Sequence, residues 1–246
     1  MTESILVVIV TGRCQTAYYL LCFVETFVIL KTKSEEMFEA LCIRKDIECL
    51  RISEGDTKAA DYEISLNSTK VIVEIKQLEK NDSDLKKEVI MKSGSVAGAV
   101  APSKRVQKKI SDAYPQIKAS CEGIYPGLVV IYNNAGILNH LDSFTISKAM
   151  FGVFAISLYL DEKRTIQAGG QRYRGGRKVT KSTLRALSAV AVLTGTRLLG
   201  PELVVYHNPY AERPIPPDIM RLIADMQFKH AGPHEMSIDS WEPAVI

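Results

Sequence analysis

Apolar and polar positions divide the chain into a strongly hydrophobic leader and a longer region of regular periodicity. Residues 5–10 and 17–30 are apolar runs, interrupted by Arg13 and Glu25. From there the pattern predicts discrete elements. Ser34 reads as a helix N-cap, with Glu35 and Glu36 in a first turn where the helix dipole favours negative charge. Met37, Phe38 and Leu41 mark the apolar face of a helix running to about Lys45. Residues 47–52 predict a short strand, and 53–58 a polar, glycine-containing turn. Residues 61–66 and 70–77 predict two strands joined as a hairpin at Asn67-Ser68-Thr69. The stretch 81–98 is polar and then rich in small residues, which predicts a loop. Pro102, at a first-turn position, opens a second helix to about Ser120. The continuous apolar run 125–132 predicts a buried strand.

The second half is less regular. Residues 146–159 are apolar and fit either helix or strand. Residues 167–181 predict a Gly/Arg-rich loop, 183–193 a helix, and 202–207 a strand. Four prolines make 209–217 irregular. Pro216-Pro217-Asp218 then predicts a helix to about Phe228, followed by a loose tail that includes His230 and His234. No internal repeat is visible.

Composition narrows the class. The 246 residues are 46% hydrophobic and 24% charged, as in an ordinary globular protein with one substantial core. Net charge is +3, which permits a nucleic-acid partner without arguing for one. The cations are clustered, however, at Lys104, Arg105, Lys108 and Lys109, and again at Arg172, Arg174, Arg177, Lys178, Lys181 and Arg185. The five cysteines are odd in number and lack C-x-x-C spacing, which predicts reduced thiols and a cytoplasmic protein. The leader lacks the flanks of a secretory signal and falls short of the roughly 20 apolar residues of a spanning helix. It predicts a segment buried against the domain or a second copy, hence a homodimer through residues 1–32 and no membrane partner.

One constellation carries chemistry. Asp61 opens one strand of the hairpin and Glu74-Ile75-Lys76 ends the other, so the two carboxylates come close. Alternation puts Glu74 and Lys76 on one face while Val73 and Ile75 point to the other. Two carboxylates gathered on one spot suit a Mg²⁺ or Mn²⁺ ion, which takes oxygen ligands and keeps several waters. Such an ion polarises a phosphodiester, and Lys76 can orient a water or stabilise developing charge. Glu39, one turn into the first helix, offers a further carboxylate. On the second predicted helix, Arg105, Lys108, Lys109 and Asp112 share a solvent-facing stripe opposite Val106, Ile110 and Ile117. That stripe, with Arg172 and Arg174, predicts phosphate contacts. An E-x-K triplet alone is unspecific, and an exposed strand-edge pair is the structural alternative.

With these residues in view, segments 36–52, 61–63 and 73–77 resemble the core of the PD-(D/E)XK nuclease-like proteins. The helix-strand-strand-strand-helix-strand order over 33–132 is the order that superfamily implies. The resemblance implies an α/β, restriction-endonuclease-like fold with a mixed central sheet flanked by helices, and a C-terminal extension over 133–246. It implies metal held by Asp61 and Glu74, catalysis by Asp61, Glu74, Lys76 and Glu39, and a nucleic-acid substrate, with DNA expected. Ala60 stands where the motif's proline would be. Segments 146–152 and 204–216 also look like later parts of uncharacterised members, and imply no activity.

Two other functions are consistent with parts of the chain. One is a nuclease fold kept as a non-catalytic nucleic-acid-binding or assembly module. The other is a short-chain dehydrogenase, suggested by Asn133-Asn134-Ala135-Gly136 and the Tyr159–Lys163 spacing. The second lacks a glycine-rich nucleotide turn after Gly12, and its asparagine motif lies too late in the chain.

Overall fold

A computed structural model describes residues 31–53, 59–94, 103–136, 139–160, 164–174, 176, 178–196, 200–230 and 241–243. The leader with its expected dimer contact, residues 54–58, Pro102, Lys163 and His234 lie outside the described residues.

Helix α1 (Lys33–Arg44) starts two residues earlier than expected. Thr32, not Ser34, is the N-cap: its side chain accepts from Glu35 N, and the Glu35 carboxylate accepts from Thr32 N at 2.6 Å. This reciprocal box needs an acid or amide three residues on, and Ser34 has Met37 there. Strands β1 (Glu48–Arg51), β2 (Tyr62–Leu66) and β3 (Thr69–Leu78) then form an antiparallel meander. The β2–β3 hairpin forms as expected, but its turn is Asn67-Ser68 alone: Thr69 pairs with Leu66 and opens β3, and Asn67 has φ 53°, a conformation its short polar side chain tolerates.

The loop expected after β3 is instead α2 (Asp82–Lys92), fixed by a second capping box between Asn81 and Asp84. Leu85, Val89, Ile90 and Met91 are all exposed, so the helix leaves no buried stripe for periodicity to reveal. Helix α3 (Ser103–Cys121) buries Val106, Ile110 and Ile117, as expected, together with Ala113, and leads into β4 (Gly127–Asn133), parallel to β3.

Residues 146–159 turn out to be both helix and strand. Helix α4 (Ser143–Phe151) stops at Gly152, whose φ of 89° suits glycine, and β5 (Val153–Leu160) follows. Of the expected Gly/Arg-rich loop, residues 167–174 are corrected to strand β6 (Ile166–Arg174), which holds Arg172 and Arg174 in an antiparallel ladder with β5, while Gly176 and residues 178–181 are irregular as expected. The helix expected at 183–193 is corrected to β7 (Leu187–Thr196). It is parallel to β4, antiparallel to β8 (Gly200–His207), and buried on both faces, so no alternation marks it as a strand. The last expected helix shrinks to α5 (Pro217–Met220). Asp225 Oδ2 accepts from Leu203 N at 2.9 Å and turns the chain back along β8 as β9 (Met226–His230). His230 therefore belongs to a strand rather than a tail. Its ring lies 4.5 Å from that of Phe151, and β10 (Trp241–Pro243) pairs with β9.

The outcome is an α/β architecture with a mixed sheet flanked by helices, in the order β1-β2-β3-β4-β7-β8-β9-β10, and a separate β5–β6 ribbon. Residues 33–132 and the later strands thus share one sheet, joined where β4 pairs with β7. Against one face α1 packs Phe38 and Leu41 on Tyr62, Val73, Val130 and Val205. Against the other, α3 and α4 pack Ile110, Ile117 and Ile146 on Ile72, Val129 and Val190. Among the described residues no helix is long and apolar enough to cross a membrane.

Gly127 sets how closely α3 approaches the sheet. A Cβ there would lie 2.4 Å from Ile117 Cγ2 and 2.8 Å from the Ala186 carbonyl oxygen. Gly127→Ala is expected to cost about 1–3 kcal/mol by overpacking, measurable by urea unfolding, and to displace the α3 turn carrying Gln116.

Candidate active site

The hairpin brings the three expected groups together. The β2–β3 ladder ends at Tyr62 opposite Val73, so the next position sets Asp61 beside Glu74. Asp61 Oδ2 accepts from Ile75 N at 2.7 Å, which pins the carboxylate to β3. Val73 and Ile75 join the α1-side core, leaving Glu74 and Lys76 on the α3 side. Lys76 Nζ donates to Glu74 Oε1 and, at 3.2 Å, to Gln116 Oε1.

Gln116 also donates through Nε2 to the Ala59 carbonyl at 3.3 Å, and Ala60 N donates to Ser120 Oγ at 2.9 Å. Helix α3 thereby holds both Lys76 and the segment leading into Asp61. Nothing in the sequence around Gln116 singles it out, because its partners are about 40 and 57 positions away.

Glu74 is the anomaly of the site. It is fully buried, and its second oxygen, Oε2, has no hydrogen-bond partner among the described residues. A buried carboxylate oxygen without a partner is costly and uncommon. Burial pushes the Glu74 carboxyl up to about 7; Lys76 opposes the rise and the neighbouring charge of Asp61 adds to it. Burial also raises Asp61, against the Ile75 N–H and Lys76, and Glu35 raises it further.

The first-helix acid acting on Asp61 is therefore Glu35. Glu39, expected behind the metal, accepts from the Tyr62 hydroxyl at 2.8 Å and pairs with Lys31 at 2.7 Å. Glu35 is buried, pairs with Arg51 at 2.8 Å, and sits in the capping box of α1. Ser34 N donates to Gln77 Oε1 at 3.0 Å, which docks that end of α1 on the residue after Lys76. A helix acid preceding the motif was legible; the one-turn choice between Glu35 and Glu39 depended on the shifted N-cap.

The expected basic stripe divides. Arg105 donates to Asp84 Oδ2 at 2.7 Å and to the Glu79 carbonyl, so it fastens α2 to α3 rather than standing free. Lys108 is exposed and Lys109 half-buried. Asn133–Ala135 forms a side-chain-closed turn after β4, with Ala135 N donating to Asn133 Oδ1 at 3.1 Å, and Tyr159 is exposed on the ribbon. His207, buried and bonded to Gln227 at 2.9 Å, is held below the usual histidine range by burial.

Among the described residues no group of three or more His, Cys, Asp and Glu side chains is gathered to hold a metal ion. Asp61 and Glu74 supply two carboxylates, one with an unused buried oxygen. That set fits Mg²⁺, which is commonly held by one or two carboxylates together with waters and substrate phosphate oxygens. No protein-family model matches the chain, and no curated protein or solved structure matches it significantly.

Proposed function

We propose that this chain is a Mg²⁺- or Mn²⁺-dependent nuclease of the restriction-endonuclease-like kind, hydrolysing phosphodiester bonds of nucleic acid, with DNA as the expected substrate. The observation that carries the reading is the buried oxygen of Glu74, unpartnered among the described residues, beside Asp61 and Lys76. A purely structural Glu74–Lys76 pair would be expected to satisfy both carboxylate oxygens, since burying charge repays only when the remaining lone pairs are bonded. A cation supplies the missing partner.

Asp61 and Glu74 would hold that ion, which when bound supplies Lewis acidity to the phosphodiester and lowers the pKa of an attacking water. Ile75 N keeps the Asp61 carboxylate aimed at the site. Lys76 holds its ammonium where negative charge develops on the phosphate oxygens, and Gln116 orients it as a positioning residue. Glu35 adds negative charge near Asp61 and so favours cation binding.

The test is cleavage of single- and double-stranded DNA and RNA with Mg²⁺ or Mn²⁺ against an EDTA control. Metal-dependent cleavage abolished by Asp61→Asn is the expected result. Binding without metal-dependent cleavage of any substrate would leave a non-catalytic module. Cleavage surviving joint loss of Asp61 and Lys76 would locate the chemistry elsewhere.

A further inference from the structure

The positive charge of this chain is concentrated in one segment. Between Glu162 and Glu202 there is no carboxylate and there are nine cations: Lys163, Arg164, Arg172, Arg174, Arg177, Lys178, Lys181, Arg185 and Arg197. The whole chain carries +3, so the residues outside this segment carry −6, the total less these nine. So uneven a distribution is the electrostatic footprint of a polyanion partner.

The first strand in that segment is β6, which carries Arg172 and Arg174. Strands β5 and β6 form a two-stranded ribbon, and among the described residues neither strand pairs with the main sheet. An isolated two-stranded ribbon is marginal unless something packs against it. In its register Val153 pairs with Arg174 and Ala155 with Arg172. Val153, at the root of the ribbon, is 50% exposed.

The root is fastened firmly. Lys178 N and Val179 N donate to the Met150 carbonyl at 3.1 and 2.9 Å, and the Gln107 side chain donates to the Gly176 carbonyl and, at 3.3 Å, to that of Ala149. Gln107 and Gln116 lie nine residues apart on α3, two and a half turns, and so on opposite flanks. The exposed Lys104 and Lys108 stand on the crest between them. The ribbon root and the Lys76 site are thus separated by about 14 Å along the helix axis, or about four base-pair steps.

We infer that the β5–β6 ribbon is a double-stranded-DNA-binding arm, with Arg172 and Arg174 of β6 supplying phosphate contacts and Lys104 and Lys108 continuing the contact toward Lys76. This rests on the nuclease reading of that site and adds the strandedness of the substrate. The B-form major groove admits a two-stranded ribbon, whereas the major groove of A-form RNA is deep and narrow.

The test uses the full chain carrying Arg172→Ala and Arg174→Ala, with Lys86→Ala and Lys87→Ala on α2 as a charge-matched control. Fluorescence anisotropy in EDTA follows binding of a 20-base-pair duplex across a salt series, with circular dichroism to verify folding. The ribbon variant is expected to weaken duplex binding at least tenfold and to make the log–log salt slope shallower by about two, one phosphate contact per arginine. The control is expected to change neither by more than about a third of that. Unchanged affinity and slope in the ribbon variant, or an equal loss in the control, would overturn the assignment. An equal loss of single-stranded DNA binding would overturn its duplex part. Hydrolysis of bis(p-nitrophenyl) phosphate with Mn²⁺ separates the two readings. Retained hydrolysis with lost duplex binding supports both, while lost duplex binding in a protein that never hydrolyses the diester keeps the arm and removes the nuclease.

Discussion

Lys76→Ala is expected to lower metal-dependent cleavage by about 10²–10⁴-fold, the range seen when a positioned donor or proton-transfer group is removed from a transition state. Lys76 is only 22% exposed and reaches Glu74 and Gln116, so the substitution removes the cation paired with the buried carboxylate. Two effects follow, and they separate by pH. Without its counter-charge Glu74 holds its proton more tightly, so metal affinity falls at neutral pH and recovers as pH rises. The loss of transition-state stabilisation does not recover. Manganese titrations and kcat measured from pH 6.5 to 9 should therefore show binding restored and turnover still low. Turnover that recovers in step with binding would reduce Lys76 to an electrostatic tuner of Glu74.

The second large effect is on stability. The folded-state pKa of Glu74 is raised from 4.5 to about 7, so the folded protein binds a proton that the unfolded chain releases first. A raised carboxyl contributes stability that is present below the ordinary carboxylate range and is lost as pH rises through about 7. At roughly 1.4 kcal/mol per pH unit, the metal-free protein loses at most about 3 kcal/mol from this group between pH 5 and 8. Asp61, raised in the same direction, adds to the loss. Glu74→Gln removes the titrating group while preserving shape. In EDTA at pH 8 it is expected to be more stable than the wild type by urea unfolding, and the difference should vanish near pH 5. Manganese should restore the wild type and leave Glu74→Gln unmoved. A wild-type stability that is flat or rising between pH 5 and 8 in EDTA would contradict the buried, cation-seeking carboxylate.

The parts of the fold legible from sequence were those with one-sided burial. Alternation in β2 and β3 and the heptad-like spacing of Val106, Ile110 and Ile117 in α3 survive because one face meets the core and the other does not. That same alternation aligned Asp61, Glu74 and Lys76. Strand β7 failed for the opposite reason: buried on both faces, its small and branched residues carry no period. Helix α2 failed because its apolar residues face outward, and only the Asn81–Asp84 capping box records it. Strand β6 was obscured by its glycines and arginines, and a ladder with β5 is a pairing no local window contains. Gln116 and Glu35 entered the site by tertiary contact, through α3 and the displaced start of α1.

The central claim is a cation between Asp61 and Glu74. Anomalous diffraction from crystals of the metal-free protein soaked in Mn²⁺ near pH 8 tests it most directly, since Glu74 is then largely ionised. A single strong anomalous peak bounded by the carboxylates of Asp61 and Glu74, with the Lys76 ammonium drawn away from Glu74, is the expected result. A peak elsewhere, or none while Lys76 remains bonded to Glu74, would contradict it and make the pair a structural one.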